Sequence, residues 1–185
     1  MGVEVEVVNR DLEHDGSNLL HDEPYKSDLQ QAKAGESHGF HSGFRCSSFS
    51  RVRFRPGGPP PVRDRKHLYG FPSNSAKQAA EAEDGNAMVR RSVEMCEAMA
   101  EGANTRRGPY TATLENPDDP GKDPYPSAWL FEEITAWLGK TPSEVAISTP
   151  AVTGRHTGSS SASRGSWRAC SGCQLHARAR SRTRP

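Results

Sequence analysis

The sequence is poor in the residues that build a large hydrophobic core. Apolar residues make up 33% of its 185 residues and aromatic residues 7%, whereas the chain holds 17 glycines and 14 prolines. This composition falls short of that of an ordinary globular domain, although a fully disordered chain is more extreme. We therefore expect a single part-ordered domain with long irregular segments.

Three classes of protein are disfavoured by features that the sequence lacks. No apolar run approaches the roughly 20 residues that span a bilayer, so we expect no membrane partner. The first ten residues carry alternating valine and glutamate without a basic n-region, unlike a secretory signal peptide. The four cysteines, at positions 46, 96, 170 and 173, do not resemble a secreted disulfide framework. These absences favour an intracellular protein, nuclear or cytoplasmic.

Acidic residues are absent from the end of the sequence. Residues 151–185 contain seven arginines and no aspartate or glutamate, whereas the other 150 residues carry 17 basic and 23 acidic side chains, a balance of −6. Hydrophobic periodicity also disappears after Pro150. We predict a folded body over residues 1–140 and a disordered basic tail, rich in serine and arginine, over residues 141–185.

The body alternates strand-like and helix-like segments. Period-two patterns and short apolar steps predict strands at Val3–Val8, Asn18–Leu20, His38–Phe44 and Tyr110–Leu114. Amphipathic patterns and capping residues predict helices over Ser27–Ala34, Ala76–Glu101 and Ser127–Leu138, ending at Gly35, Gly102 and Gly139. The alternation predicts an α/β fold with a parallel sheet.

An irregular segment, residues 51–75, connects the third predicted strand to the longest predicted helix. Its centre is Gly57-Gly-Pro-Pro-Pro61, and proline fixes φ and removes a hydrogen-bond donor. We therefore predict an extended loop that does not pack against the body. Six basic side chains on it would contact the phosphates of a nucleic acid: Arg51, Arg53, Arg55, Arg63, Arg65 and Lys66.

A cysteine follows the third predicted strand on a sharp turn. Gly43 permits the turn, and the nearby positive charge of Arg45 and Arg51 would favour the thiolate of Cys46. A lone cysteine in a loop rich in serine and arginine usually has no chemical role. What favours a role here is the placement of Asp11 and Glu115, which also follow predicted strands. Ligands of parallel α/β sheets bind at the carboxyl ends of the strands.

Two short motifs resemble those of DNA (cytosine-5) methyltransferases. Gly43-Phe-Arg-Cys-Ser-Ser-Phe-Ser50 is similar to that family's Pro-Cys-Gln loop, and Leu114-Glu-Asn-Pro117 is similar to its Glu-Asn-Val motif. The resemblance implies a partial Rossmann-like methyltransferase sheet. It also implies that Cys46 attacks the pyrimidine ring, while Glu115 holds the base by a ring nitrogen and the exocyclic amine.

The same resemblance implies S-adenosylmethionine as cofactor. Asp11 is similar in place to the acid that binds the ribose, and Asn18 stands where the family commonly has an aspartate near the adenine. The family's first motif, a strand that ends in a Gly-rich turn, has no counterpart here, and Arg45 and Ser47 replace proline and glutamine. The resemblance is therefore to a core that is incomplete at its amino end.

Two functions remain open from the sequence. The first is transfer of a methyl group from S-adenosylmethionine to a nucleobase, with DNA or another nucleic acid as partner. The second is a non-catalytic nucleic-acid-binding or mobile-element-derived remnant that uses the Arg-rich loop and the tail. A metal site is not favoured, because Cys170, Cys173 and His176 lie in the tail without a second cysteine pair.

Overall fold

A computed structural model describes residues 5–10, 18–140, 143–148 and 174–180. Within these ranges the helices are α1 (Asp22–Ala34), α2 (Ala76–Arg106) and α3 (Glu132–Lys140). The strands are β1 (Gly39–Gly43), β2 (Thr111–Pro117), β3 (Ser143–Ser148) and β4 (Gln174–Arg180). Short 3₁₀ turns occupy Ser47–Phe49, Arg51–Phe54 and Ala128–Leu130. The chain mixes helix and strand, as the sequence predicts.

The sheet is built around one parallel pair of strands. The four strands are ordered β1-β2-β4-β3. β1 and β2 run parallel, with Gly39 opposite Thr111 and Gly43 opposite Glu115. β4 is antiparallel to both β2 and β3. The parallel pair is connected through α2, which forms a β–α–β unit and places the carboxyl ends of β1 and β2 at the same edge.

The core lies between α2 and one face of the parallel pair. The Ser42 hydroxyl of β1 is 2.8 Å from that of Ser92 in α2. The predicted apolar stripe of α2 is confirmed, since Val89, Val93, Cys96 and Met99 are buried in one cluster with Ala112 and Leu114 of β2. The α3 region adds Phe131, Ile134 and Trp137 to this cluster.

The long helix α2 begins at a capping box. The Ser75 hydroxyl accepts the backbone N–H of Gln78 at 3.4 Å, and the Gln78 side chain accepts that of Ser75 at 3.0 Å. These bonds satisfy two of the donors that a helix start leaves unpaired. The predicted start at Ala76 is therefore confirmed and has a local cause.

The predicted strands near the amino end are wrong within the described residues. Val5, Val7 and Val8 are exposed and belong to no strand. Alternation alone does not form a strand without a partner that buries one face. Asn18–Leu20 forms a turn instead, because the Asn18 carboxamide oxygen accepts the backbone N–H of Leu20 at 2.8 Å.

Two predicted helix starts are also corrected. α1 begins at Asp22 with His21 as its N-cap, not at Ser27, and the acidic Asp22 and Glu23 favour the start of a helix. Ser127 caps the 3₁₀ turn Ala128–Leu130, where its hydroxyl accepts the backbone N–H of Trp129 at 3.3 Å. α3 follows that turn.

One predicted helix end is confirmed and two are corrected. α1 ends before Gly35, which has a φ of 80°. α2 passes through Gly102 and ends at Arg106, with Arg107 as the left-handed cap. Gly139 lies inside α3. Gly102 is needed for space, because a Cβ there would overlap the Ala32 carbonyl oxygen and lie 2.8 Å from the Gly35 nitrogen.

The segment predicted as a disordered tail contributes two strands. β3 and β4 both lie within residues 141–185, which corrects the prediction for these two stretches. The sequence of β4, Gln174-Leu-His-Ala-Arg-Ala-Arg180, alternates apolar and polar residues, which is the strand pattern that the composition obscured. The rest of the predicted tail lies outside the described residues.

Replacing Gly102 with alanine tests the close approach of α1 and α2. We expect Gly102→Ala to lower the free energy of unfolding by roughly 1–3 kcal/mol, because the methyl group overpacks the contact. Gly139→Ala is the matched control. It also lies in a helix, where alanine is favoured over glycine by about 0.5–1 kcal/mol, and an added Cβ meets no atom within 4 Å. Urea unfolding followed by circular dichroism measures both, and equal stabilisation by the two substitutions would contradict the packing.

Candidate functional site

The carboxyl end of β1 presents an exposed cysteine. The backbone N–H of Phe49 donates to the Cys46 carbonyl at 3.0 Å, so Cys46 begins the 3₁₀ turn Ser47–Phe49. Cys46 is exposed, whereas Cys96 of α2 is fully buried. Burial raises the pKa of the Cys96 thiol and keeps it protonated. Of the two cysteines in the described part of the chain, Cys46 is the one that a reagent or substrate can reach.

Glu115 lies on the neighbouring strand at the same edge. It faces Gly43 across the parallel pair, and Cys46 follows Gly43 by three residues. Along β2, half-buried Thr111, Thr113 and Glu115 alternate with buried Ala112, Leu114 and Asn116. Glu115 therefore points away from the α2 side, and its side chain is 21% exposed. The pairing of β1 with β2 therefore places Glu115 at the same edge of the sheet as the turn that contains Cys46, although the two residues are 69 positions apart in sequence.

Asn116 fastens β2 to the chain that leads to Cys46. Its amide nitrogen donates to the Phe44 carbonyl at 3.1 Å, and the residue is buried. The indole N–H of Trp129 donates to the Pro117 carbonyl at 2.9 Å, which holds the other side of Glu115. The sequence analysis assigned no structural role to Asn116. The feature of the sequence that could have indicated one is its position directly after Glu115.

A histidine that the sequence analysis did not select lies beside Glu115. His41 of β1 has its Nδ1 atom 2.8 Å from the Thr113 hydroxyl, and its Nε2 atom 3.5 Å from Oε2 of Glu115. The only sequence signal for this contact is the two-residue spacing from His41 to Gly43. That spacing places both residues on the same face of β1.

Three of the six basic residues predicted to bind phosphates have partners inside the protein. Arg53 donates to the carbonyls of Ser47 and Pro60 at 2.8 and 2.7 Å and pairs with Glu81. Arg65 binds Asp119 through both terminal nitrogens, at 2.6 and 3.1 Å. These internal contacts occupy the guanidinium groups and disfavour the predicted phosphate contacts of Arg53 and Arg65, which stay a prediction.

Arg63 is the most deeply held of the three. It is fully buried and donates to the carbonyl of Leu68 at 2.7 Å, to that of Ala82 at 2.5 Å and to the side chain of Asn86 at 2.9 Å. Its guanidinium carbon lies 4.3 Å from the centre of the Phe49 ring. Burial lowers the pKa of Arg63 to about 10, so the group stays charged at neutral pH.

The segment 51–75 is therefore packed, contrary to the prediction of an extended, unpacked loop. Val62 and Arg63 are fully buried, and Arg53 is nearly so. Prolines in this segment cannot donate hydrogen bonds, but their carbonyls still accept them, and Arg53 supplies a donor to Pro60. Arg51 is half-buried and Arg55 and Lys66 are exposed. These three remain the residues with which this segment could contact phosphates.

Of the two predicted cofactor residues, Asn18 lies in the described part of the chain and Asp11 lies outside it. Asn18 uses its side-chain oxygen to accept the backbone N–H of Leu20, as part of the turn before α1. Binding of S-adenosylmethionine therefore stays a prediction.

The described residues contain neither a metal-binding cluster nor a membrane-spanning helix. No group of three or more histidine, cysteine, aspartate or glutamate side chains in the described residues is arranged to hold a metal ion. No described helix is both long and apolar enough to cross a membrane.

Comparisons with protein-family models, with curated proteins and with solved structures find no match to this chain. The resemblance to cytosine-5 methyltransferases therefore depends on its two motifs, which the fold places at one edge of the sheet.

Replacing Arg63 tests its structural role. We expect Arg63→Met to lower the free energy of unfolding by roughly 2–4 kcal/mol, because the buried Ala82 carbonyl and Asn86 side chain, and the Leu68 carbonyl, lose the hydrogen bonds that Arg63 donates. Arg55→Met removes an exposed arginine from the same segment, and we expect a change of about 0.5 kcal/mol or less. Chemical denaturation measures both, and similar losses for the two variants would refute the assignment.

Proposed function

We propose that this chain carries the nucleophile and the base-binding acid of a Rossmann-like, S-adenosylmethionine-dependent nucleobase methyltransferase. Cys46 is the nucleophile and Glu115 binds the base. The observation that carries the proposal is the parallel pairing of Gly43 with Glu115, which places both motifs at one strand edge. Ligands of parallel sheets bind at this kind of edge.

The chemistry of the two side chains suits attack on a pyrimidine. A thiolate is a strong nucleophile for an electron-poor ring carbon, and Cys46 is exposed to solvent. As the sulfur–carbon bond forms, electrons of the ring double bond move toward the ring nitrogen. The ring nitrogen takes up a proton from solvent as this charge develops, and the Glu115 carboxylate accepts hydrogen bonds from the resulting N–H and from the exocyclic amine, which stabilises the transition state. The half-buried position of Glu115 strengthens these bonds.

The described residues assign no side chain to the methyl donor. S-adenosylmethionine supplies the methyl group when it is bound. Asn18 is committed to a turn and Asp11 lies outside the described residues, so no step that involves the donor is assigned to either side chain. The steps that the described residues support are attack on the base and base binding.

A nucleic-acid-binding remnant is the second candidate. The exposed side chains of Arg55 and Lys66 support it, since neither forms an ion pair with another described residue. Non-catalytic binding of this kind depends on phosphate charge and weakens steeply as salt is added. It needs neither the Cys46 thiol nor the Glu115 carboxylate.

A covalent trap separates the two candidates. An oligonucleotide that contains 5-fluorocytosine is incubated with the chain and S-adenosylmethionine. After methyl transfer, release of the enzyme requires loss of a proton from the methylated ring carbon. In 5-fluorocytosine that position holds fluorine, which cannot leave as a cation, so the adduct persists. We expect wild type to form an adduct that denaturing electrophoresis resolves and peptide mapping assigns to Cys46, and we expect Cys46→Ser to abolish it.

Cys170→Ser is the control, because it removes a thiol that has no part in the proposal. It should leave the adduct unchanged. An adduct that survives in Cys46→Ser would refute the role of Cys46. Salt-sensitive binding of the oligonucleotide without any adduct in wild type would overturn the enzyme and favour the remnant.

A further inference from the structure

We propose that His41 is a positioning residue that holds Glu115 in the orientation needed to bind the base. This inference rests on the proposed function, since the role of Glu115 comes from it. His41 lies on β1, two residues before Gly43, and its ring bridges Thr113 and Glu115 of β2. No family motif includes the histidine, so the assignment rests on the geometry.

The ring has one partner at each nitrogen. Nδ1 is 2.8 Å from the Thr113 hydroxyl oxygen, and Nε2 is 3.5 Å from Oε2 of Glu115. An ionised carboxylate can only accept hydrogen bonds, so the nitrogen that faces it carries the proton. In the tautomer that carries its proton on Nε2, Nδ1 accepts the Thr113 hydroxyl. The 3.4 Å separation of that hydroxyl from the Phe40 carbonyl makes the alternative hydrogen bond weaker.

This arrangement leaves acceptor sites on the carboxylate for both donors of the base. His41 faces one lone pair of Oε2 of Glu115, and among the contacts of the described residues the other lone pair of Oε2 and those of Oε1 are left as acceptors. The Nε2–Oε2 separation of 3.5 Å is longer than a direct hydrogen bond, and contacts of catalytic groups often tighten when the substrate binds.

The glycines of β1 explain why Glu115 needs a positioning residue. Gly43 faces Glu115 from β1, and a Cβ built on Gly43 would lie 3.9 Å from His41 Nε2. The His41 side chain is itself 58% exposed. Within β1, the other residues on the face of His41 are Gly39 and Gly43, so His41 supplies the side chain that restricts Glu115 from this strand. A misplacement of about 1 Å at a catalytic group can reduce a rate by roughly 100-fold.

Two substitutions of His41 separate its contacts. His41→Asn places an amide near the Nδ1 position, so it keeps the contact with Thr113 and loses the one with Glu115. His41→Gln places an amide nitrogen near the Nε2 position, where it can donate to Glu115. We expect the rate of adduct formation with the 5-fluorocytosine oligonucleotide to fall roughly 10- to 100-fold in His41→Asn, and to recover most of that loss in His41→Gln.

Coupling to Glu115 distinguishes positioning from a general structural effect. If His41 acts through Glu115, His41→Asn should have little further effect on the adduct rate in a Glu115→Gln background. A rate in His41→Asn equal to that of wild type, equal rates in the two His41 variants, or additive losses with Glu115→Gln would overturn the inference. Absence of an adduct in wild type would instead overturn the proposed function.

A spectroscopic measurement keeps the inference testable if His41→Asn does not fold. Imidazole nitrogen shifts in nuclear magnetic resonance report which ring nitrogen carries the proton. We expect Nε2 to carry it in wild type, and Glu115→Gln to shift the His41 signals while those of His67, which contacts Asp64 at 3.0 Å, stay in place. His41 signals that do not respond to Glu115→Gln would overturn the contact.

Discussion

The parallel pairing of β1 with β2 is the constraint on which the candidate site depends. Because Gly43 faces Glu115, the turn that carries Cys46 and the strand that carries the acid share one edge. α2 connects the two strands and buries the face opposite Glu115. Asn116 then fastens the end of β2 to Phe44, just before the cysteine turn. A change that shifted this register by one residue would move Glu115 to the buried face.

A second constraint is the burial of Arg53 and Arg63 in the proline-rich segment, because the donors of a buried guanidinium group need acceptors. Both side chains are almost inaccessible to solvent. Together they donate hydrogen bonds to four backbone carbonyls. Each guanidinium offers five donors in a planar fork, which suits a segment whose own backbone supplies few. Backbone acceptors thus give a structural cause to two of the six cations of residues 51–75, and the ion pair with Asp119 engages a third, Arg65. The remaining exposed charge is smaller than the sequence suggests.

Local patterns predicted the parts of the fold that need no distant information. The apolar stripe through Val93 and Met99 identified α2. Gly43, which was expected to permit a sharp turn, is instead the last residue of β1 and is not among the glycines with a positive φ. The burial of Arg63 could not be predicted, because its acceptors Leu68 and Ala82 are assembled only when the segment folds onto α2. The His41 contact depends on Thr113, 72 positions away. The prediction of a strand at Val5–Val8 was wrong because it used only the local alternation of residues, whereas a strand also needs a neighbouring strand to pair with.

The central claim is that Cys46 and the side chain at position 115 meet at one edge. A short reagent that links two thiols tests it directly in Glu115→Cys, with Cys170 and Cys173 replaced by serine and buried Cys96 left in place. We expect peptide mapping to find a link between Cys46 and the thiol introduced at position 115. We expect no link in Thr111→Cys, because its thiol lies about 13 Å further along β2 and out of reach of a short reagent. Linking that is equal at the two positions, or confined to position 111, would contradict the account.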